Sequence, residues 1–293
     1  MLTVVNAPEP REEVLVHLGP TREAIVSWNT LALAGALELR VNAHDGRTSG
    51  WLPYVAFSAD RRASLDGADT FVRIDTDVLR ASVDMVTLGV RSEGALDALF
   101  VSTPDYGAPS SIVALPALAL DVPPYSQYEP AYPQERGWCA PASLAMLLAY
   151  RSYPVDVPIV AREVFDARYG GTGNWTLNVA FAATLGFRAA VVHLRDLAHA
   201  HAFLADDIPL ALSIAWREGE LPGAPLPASA GHLVVLRGID ENGDPLVNDP
   251  AQPGVAVTYD RAAFERAWLG HGGIAFAVVP APLAATLPRL ANG

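Results

Sequence analysis

Only one cysteine, Cys139, occurs in 293 residues, so no disulfide can form within the chain. That suits a reducing compartment, although many secreted bacterial enzymes also lack disulfides. No apolar run reaches the roughly 18–20 residues needed to cross a bilayer. The stretch IVALPALAL (112–120) is too short and contains Pro116. Basic residues are scarce, 20 against 32 acidic, giving a formal charge of −12. Such a surplus repels phosphate backbones and anionic lipid, so neither nucleic acid nor membrane insertion is expected. The start, MLTVVNAPEPREEV, lacks the basic-then-apolar pattern of a signal peptide. A cytoplasmic protein would look like this, and so would a secreted one trimmed at its N-terminus. No cofactor or metal signature stands out. His199 and His201 are two apart on a predicted helix and do not share a face, which makes them poor metal ligands and places them at the surface.

Core material is ample: 51% of residues are hydrophobic and 18% charged. The length suggests two domains. Residues 11–102 read as about seven short strands separated by turn signals such as HDGRTSG and LDGADT, which predicts an all-β sandwich or jelly roll over 1–102. The segment ALELR fits a helix as well as a strand. Prolines 104, 109, 116, 123, 124, 130 and 133 then change the character of the chain. Proline fixes φ and removes a donor, so 103–120 reads as a linker, with a boundary near Asp121. Beyond it, helices are predicted at 141–152, 176–186, 196–206 and 261–269. Strands are predicted at 188–194, 208–216, 231–239, 245–250 and 273–280. This helix-led, then strand-rich order predicts an α+β second domain over 121–281, followed by a tail at 282–293.

Cys139 stands at the start of the apolar helix PASLAMLLAYRS. Unpaired amides at a helix start favour a thiolate. The competing reading is a small buried hydrophobe. A thiolate needs a histidine partner. His232 follows Gly231 and opens the buried strand LVVL, a position suited to a cleft as well as to a core histidine. His271, in GHGG, is the rival. An imidazole needs an acceptor for its second nitrogen. The turn GIDENGDP returns the chain as PLVNDP and can bring Asp249 beside His232, unless Asp249 only makes an Asp-Pro turn. Alternation points Asn248 to the other face. Gln127, in PPYSQY, offers an uncharged donor for an oxyanion beside the Cys139 amide. Trp28, Trp51 and Tyr54 are core candidates, with a ligand platform as the other reading.

The segments VPPYSQY, GWCAPASLAMLLAY, GNWTLNVAFAATLGF, GHLVVLRGIDENGDPLVNDP and TYDRAAFERAWL resemble, in order, the bacteriocin-processing, double-glycine-peptidase-like family of papain-like cysteine peptidases. The resemblance covers roughly 121–281. It implies a papain-like domain in which Cys139, His232, Asp249 and Gln127 are nucleophile, base, orienter and oxyanion donor. It also implies that Asn174 and Trp175 lie near the substrate cleft. The best-known members precede a membrane exporter and an ATPase and cut after a glycine pair. This chain carries a β-rich half instead, so that specificity is not carried over. The function expected is a cysteine hydrolase, a peptidase or amidase/isopeptidase acting on a peptide or protein, without a cofactor. The alternatives are an idle peptidase-like binding protein and an acyltransferase on the same site. The β-domain is expected to bind carbohydrate or protein.

Overall fold

The computed structural model describes residues 1–104, 114–132 and 137–293. Pro109 and Pro133 therefore lie outside the described residues. Eight strands form an antiparallel sheet: β1 (Leu2–Asn6), β2 (Val14–Asn29), β3 (Gly35–Ala43), β4 (Leu52–Phe57), β5 (Arg62–Ser64), β6 (Val72–Asp75), β7 (Val78–Glu93) and β8 (Ala98–Ser102). Their order is β1-β8-β2-β7-β3-β4-β5, with β6 paired to β7.

These strands form one continuous ladder that curls back on itself, with the Trp28 ring of β2 stacked on Phe57 of β4 three places along, where a sandwich or jelly roll of separate sheets was expected. The reason lies in the two 16-residue strands β2 and β7. Gly19-Pro20 looks like a turn in sequence. In the sheet it is absorbed as a bulge, between the pairs His17↔Thr87 and Thr21↔Met85, and the ladder continues. The true turn falls inside VRIDTDVL, at Thr76 (φ 60°) and Asp77. The segment ALELR is strand β3, not helix. Strands β1 and β5 were not anticipated.

The second layer begins with β9 (Leu118–Ala119), earlier than the expected boundary at Asp121. There follow α1 (Cys139–Tyr150), α2 (Val157–Glu163), α3 (Trp175–Thr184), β10 (Phe187–His193), α4 (Leu197–Ala205), β11 (Leu210–Trp216), β12 (Ser229–Ile239), β13 (Pro245–Asn248), β14 (Ala256–Thr258), α5 (Arg261–Leu269), β15 (Ile274–Pro280) and α6 (Thr286–Ala291). The sheet order is β10-β15-β11-β12-β13-β14, with β9 paired to β12. Gly238 lets β9 approach, because a Cβ there would sit 2.3 Å from the Leu118 carbonyl oxygen. Residues 282–293, expected as a tail, carry α6. Its Leu287, Leu290 and Ala291 are buried. The Asn292 amide bonds both the N–H and the C=O of Leu2. His199, expected at the surface, is buried and bonded to the Leu290 carbonyl. Among the described residues, no helix is long and apolar enough to cross a membrane.

The two sheets share a core. Leu2, Ile25, Val78, Ala98 and Phe100 of the first pack in the same cluster as α1, α3 and β10–β12. The edge strand β10 has its outward amides met by side chains of the first sheet. Asn29 bonds both the N–H and the C=O of Ala189, while Ser27 and Ser102 accept from the amides of Val191 and His193. An edge strand satisfied in this way is closed to further pairing. Lower on the seam, buried Asp166 accepts from the Ser64 amide and from the Asn174 side chain. Buried Asp77 accepts from the Trp175 amide at 2.8 Å.

Asp77 makes the fold sensitive to pH. Burial pushes its carboxyl from an ordinary 3.8 up to about 7, against the downward pull of the Trp175 N–H. A raised folded value means that this group favours the fold at low pH. That contribution is lost as pH rises through about 7. Asp77→Asn keeps an acceptor but does not titrate. Urea unfolding is expected to show the variant gaining on the wild type between pH about 4 and about 7. A difference that does not change with pH would contradict this.

Candidate active site

Helix α1 is apolar on nearly all sides and buried from Ala140 to Leu148. Helices α3, α4 and α5 have side-chain caps in Asn174, Asp196 and Asp260. Helix α1 has none at Trp138, so its first-turn amides are not spent on a capping side chain. Cys139 is its first residue and is half-buried. The Ala140 and Leu233 backbone amides both act on the sulfur to lower the thiol. Ser143, one turn further along α1, donates to the Leu233 carbonyl and ties the helix to β12.

His232 lies on β12, opposite Ile214 of β11, and is buried. Its Nε2 bonds Asp249 Oδ1 at 2.7 Å, which leaves Nδ1 as the ring nitrogen open to the Cys139 sulfur. The Trp216 ring meets the imidazole edge-on, with 5.8 Å between centroids. Asp249 follows the end of β13 and is fully buried. It also accepts from the Ala251 amide at 2.9 Å and from the Tyr259 hydroxyl at 2.7 Å. Asn248 faces the other way, bonding Arg237 and the Val122 carbonyl.

The charges reinforce one another. Burial alone would raise the Cys139 thiol. The hydrogen bond and charge of His232, with the two amides, bring it below its ordinary value. Burial would likewise lower His232, but its bonds to Asp249 and Cys139 push it up to about 10. Burial would raise Asp249, and His232, Tyr259 and Ala251 together hold it below the usual carboxylate range. Such a triad favours a thiolate–imidazolium pair backed by a carboxylate.

The structure thus brings Cys139, His232 and Asp249 together. Gln127 is buried, and its backbone N–H donates to the carbonyl of Pro250, next to Asp249, at 2.9 Å. Its side-chain Oε1 has no hydrogen-bond partner among the described residues. Asn174 is not a cleft residue. It is buried, and its side chain is used up by the Leu177 amide, the Thr176 hydroxyl and Asp166. Trp175 is half-buried and edge-on to His271. The rival His271 lies with its Nε2 3.8 Å from where a Cβ on Gly231 would stand. Trp28 and Tyr54 are core. The sequence reading missed Tyr259 and Trp216. The capping residue Asp260 directly after Tyr259 marked a helix start, but nothing marked the tyrosine as a partner of Asp249. Among the described residues, no group of three or more His, Cys, Asp or Glu is placed to hold a metal ion.

At about pH 6, iodoacetamide is expected to label Cys139 at least ~10-fold faster than a free thiol, and His232→Ala to abolish the advantage. Equal rates in the two proteins would contradict the ion pair.

Comparison with known proteins adds the lineage. The Peptidase_C39 like family matches residues 119–276. A C39-like peptidase from Bacillus anthracis is 20% identical over 56% of this chain and 98% of its own, with a TM-score of 0.44. The peptidase domain of Streptococcus ComA, a bifunctional ABC transporter of a quorum-sensing pathway, is 18% identical over 54% and 98%, with a TM-score of 0.40. A double-glycine-motif protease from an AMS/PCAT transporter, solved with its leader peptide, is 22% identical over 58% and 99%, also at 0.40. No curated protein matches. With more than half of its residues covered by the family match, the chain belongs to the Peptidase_C39 like family.

Proposed function

We propose that the protein is a papain-like cysteine peptidase that hydrolyses a peptide or isopeptide bond with Cys139, His232, Asp249 and Gln127. The observation that carries this reading is the buried His232–Asp249 hydrogen bond, whose imidazole interacts with Cys139 at the start of α1 strongly enough to lower the thiol. The Cys139 sulfur attacks the scissile carbonyl carbon, and the C–O π pair moves onto oxygen. The Gln127 amide and the Cys139 backbone N–H stabilise that oxyanion. Imidazolium returns its proton to the leaving amine as the C–N bond breaks, leaving a thioester. Water, deprotonated by His232, then attacks the thioester and releases the acid and the thiolate. Asp249 keeps the ring in the orientation both transfers need.

An idle scaffold would leave the sulfur without an imidazole to act on it, and the lowering of the Cys139 thiol by the His232 charge counts against that reading. The first sheet, residues 1–102, is assigned a recognition role. A cavity of about 290 Å³ lies where it meets α3, lined by Trp28, Phe57, Leu177 and Phe181 and rimmed by exposed Leu31 and Leu33. Its apolar walls favour a peptide or protein over carbohydrate.

The test is a peptide-library digest read by mass spectrometry. Wild type is expected to generate new C-termini and Cys139→Ala none. Gln127→Ala is expected to lower kcat by about 10²–10³ with little change in KM. Cleavage that survives Cys139→Ala would overturn the proposal.

A further inference from the structure

We infer that Tyr259 is a positioning residue of the site: its hydroxyl, directed by Gln252, orients the Asp249 carboxylate toward His232. The inference rests on the peptidase reading above and adds a residue to it.

A carboxylate that holds an imidazole by one oxygen remains free to turn about its last torsion, which is broad. Asp249 does not have that freedom. Oδ1 accepts from His232 Nε2 and from the Ala251 amide, and Oδ2 accepts from the Tyr259 hydroxyl at 2.7 Å. The two ends of the carboxylate are therefore pinned from opposite sides. The tyrosine is held firmly in turn. It is 1% exposed, its amide donates to the Pro245 carbonyl, and its ring stacks on Phe264 at 5.9 Å between centroids and 16° between planes.

The direction of the hydroxyl is set by Gln252. The amide nitrogen of Gln252 donates to the Gly223 carbonyl at 2.6 Å and to the Tyr259 oxygen at 3.4 Å. An amide nitrogen can only donate, so the tyrosine oxygen accepts there and spends its own proton on Asp249. Burial and the nearby Asp249 charge hold the phenol well above its ordinary value, so it stays protonated and remains a donor. A bond from a neutral donor to a buried carboxylate is among the stronger kinds. It favours the ionised form of Asp249, which the imidazolium requires.

The full chain tests this through the pH profile of iodoacetamide labelling at Cys139. Tyr259→Phe keeps the ring and its stack and removes only the hydroxyl. Asp249 then protonates more readily, and the acid limb is expected to move up by about one pH unit, a roughly tenfold slower labelling on that limb. Incorporation of 3,5-difluorotyrosine at position 259 makes a stronger donor of nearly the same shape, and the limb is expected to move down. Thermal unfolding is followed in parallel. Changed unfolding midpoints with both limbs at the wild-type position would show a packing role and overturn the inference. So would limb shifts of the same sign. Should Tyr259→Phe fail to fold, the sign of the fluorotyrosine shift decides alone. A wild-type limb at the value of an ordinary thiol would sink the peptidase reading itself, a result separable from the others because it needs no variant.

Discussion

The site depends on one buried hydrogen bond, between His232 Nε2 and Asp249 Oδ1. A carboxylate sealed from water is costly unless donors surround it, and here three do. Once Asp249 is held ionised, the imidazole beside it is favoured in its charged form, and the charged imidazole in turn favours a thiolate at Cys139. Each group is buried at a cost that the next one offsets. Removing any member leaves a buried charge without its partner, a far larger loss than the net worth of the pair.

The elements that deliver these three side chains are ordinary ones. An apolar helix begins at Cys139 without a capping side chain, so its first-turn amides are not spent on one. Strand β12 brings in His232, and the turn after it returns β13 with Asp249 beside the ring. The seam with the first sheet gives this frame its stiffness. Asn29, Ser27 and Ser102 close the open edge of β10, and Asp166 and Asp77 fasten the start of α3. A further bond runs from the Thr172 hydroxyl to the Gly137 carbonyl, two residues before Cys139. The two sheets are therefore joined through a shared core, which cutting the chain between them would expose.

Much of this was legible in the sequence. Cys139 at a helix start, His232 beside Gly231 and Asp249 on the returning strand each follow from local rules of capping, alternation and turn chemistry. The helices α3, α4 and α5 were legible because their caps and breakers are local, and α1 because its run is apolar nearly all round. Less was legible where tertiary pairing overrules local signals. Gly19-Pro20 reads as a turn but is a bulge, since β7 supplies partners on either side of it. Residues 286–291 read as a tail because six residues carry too little periodicity to declare a helix, and its stability comes from Leu287 and Leu290 meeting the core. His199 reads as surface for the same reason: the carbonyl that holds it belongs to α6. Asn174 was placed near the cleft by resemblance, but its Oδ1 caps α3 by accepting from the Leu177 amide and its side-chain amide donates to Asp166. Tyr259 carries no local mark of its contact, which arises only when β13 and β14 pair.

The protonation state of His232 tests the central claim most directly. With the ring nitrogens labelled with ¹⁵N, their shifts report whether one or both carry a proton. The ion pair predicts a doubly protonated ring at neutral pH that loses its proton only near pH about 10. A neutral ring at pH 7, titrating near the ordinary histidine value of about 6.5, would contradict the account.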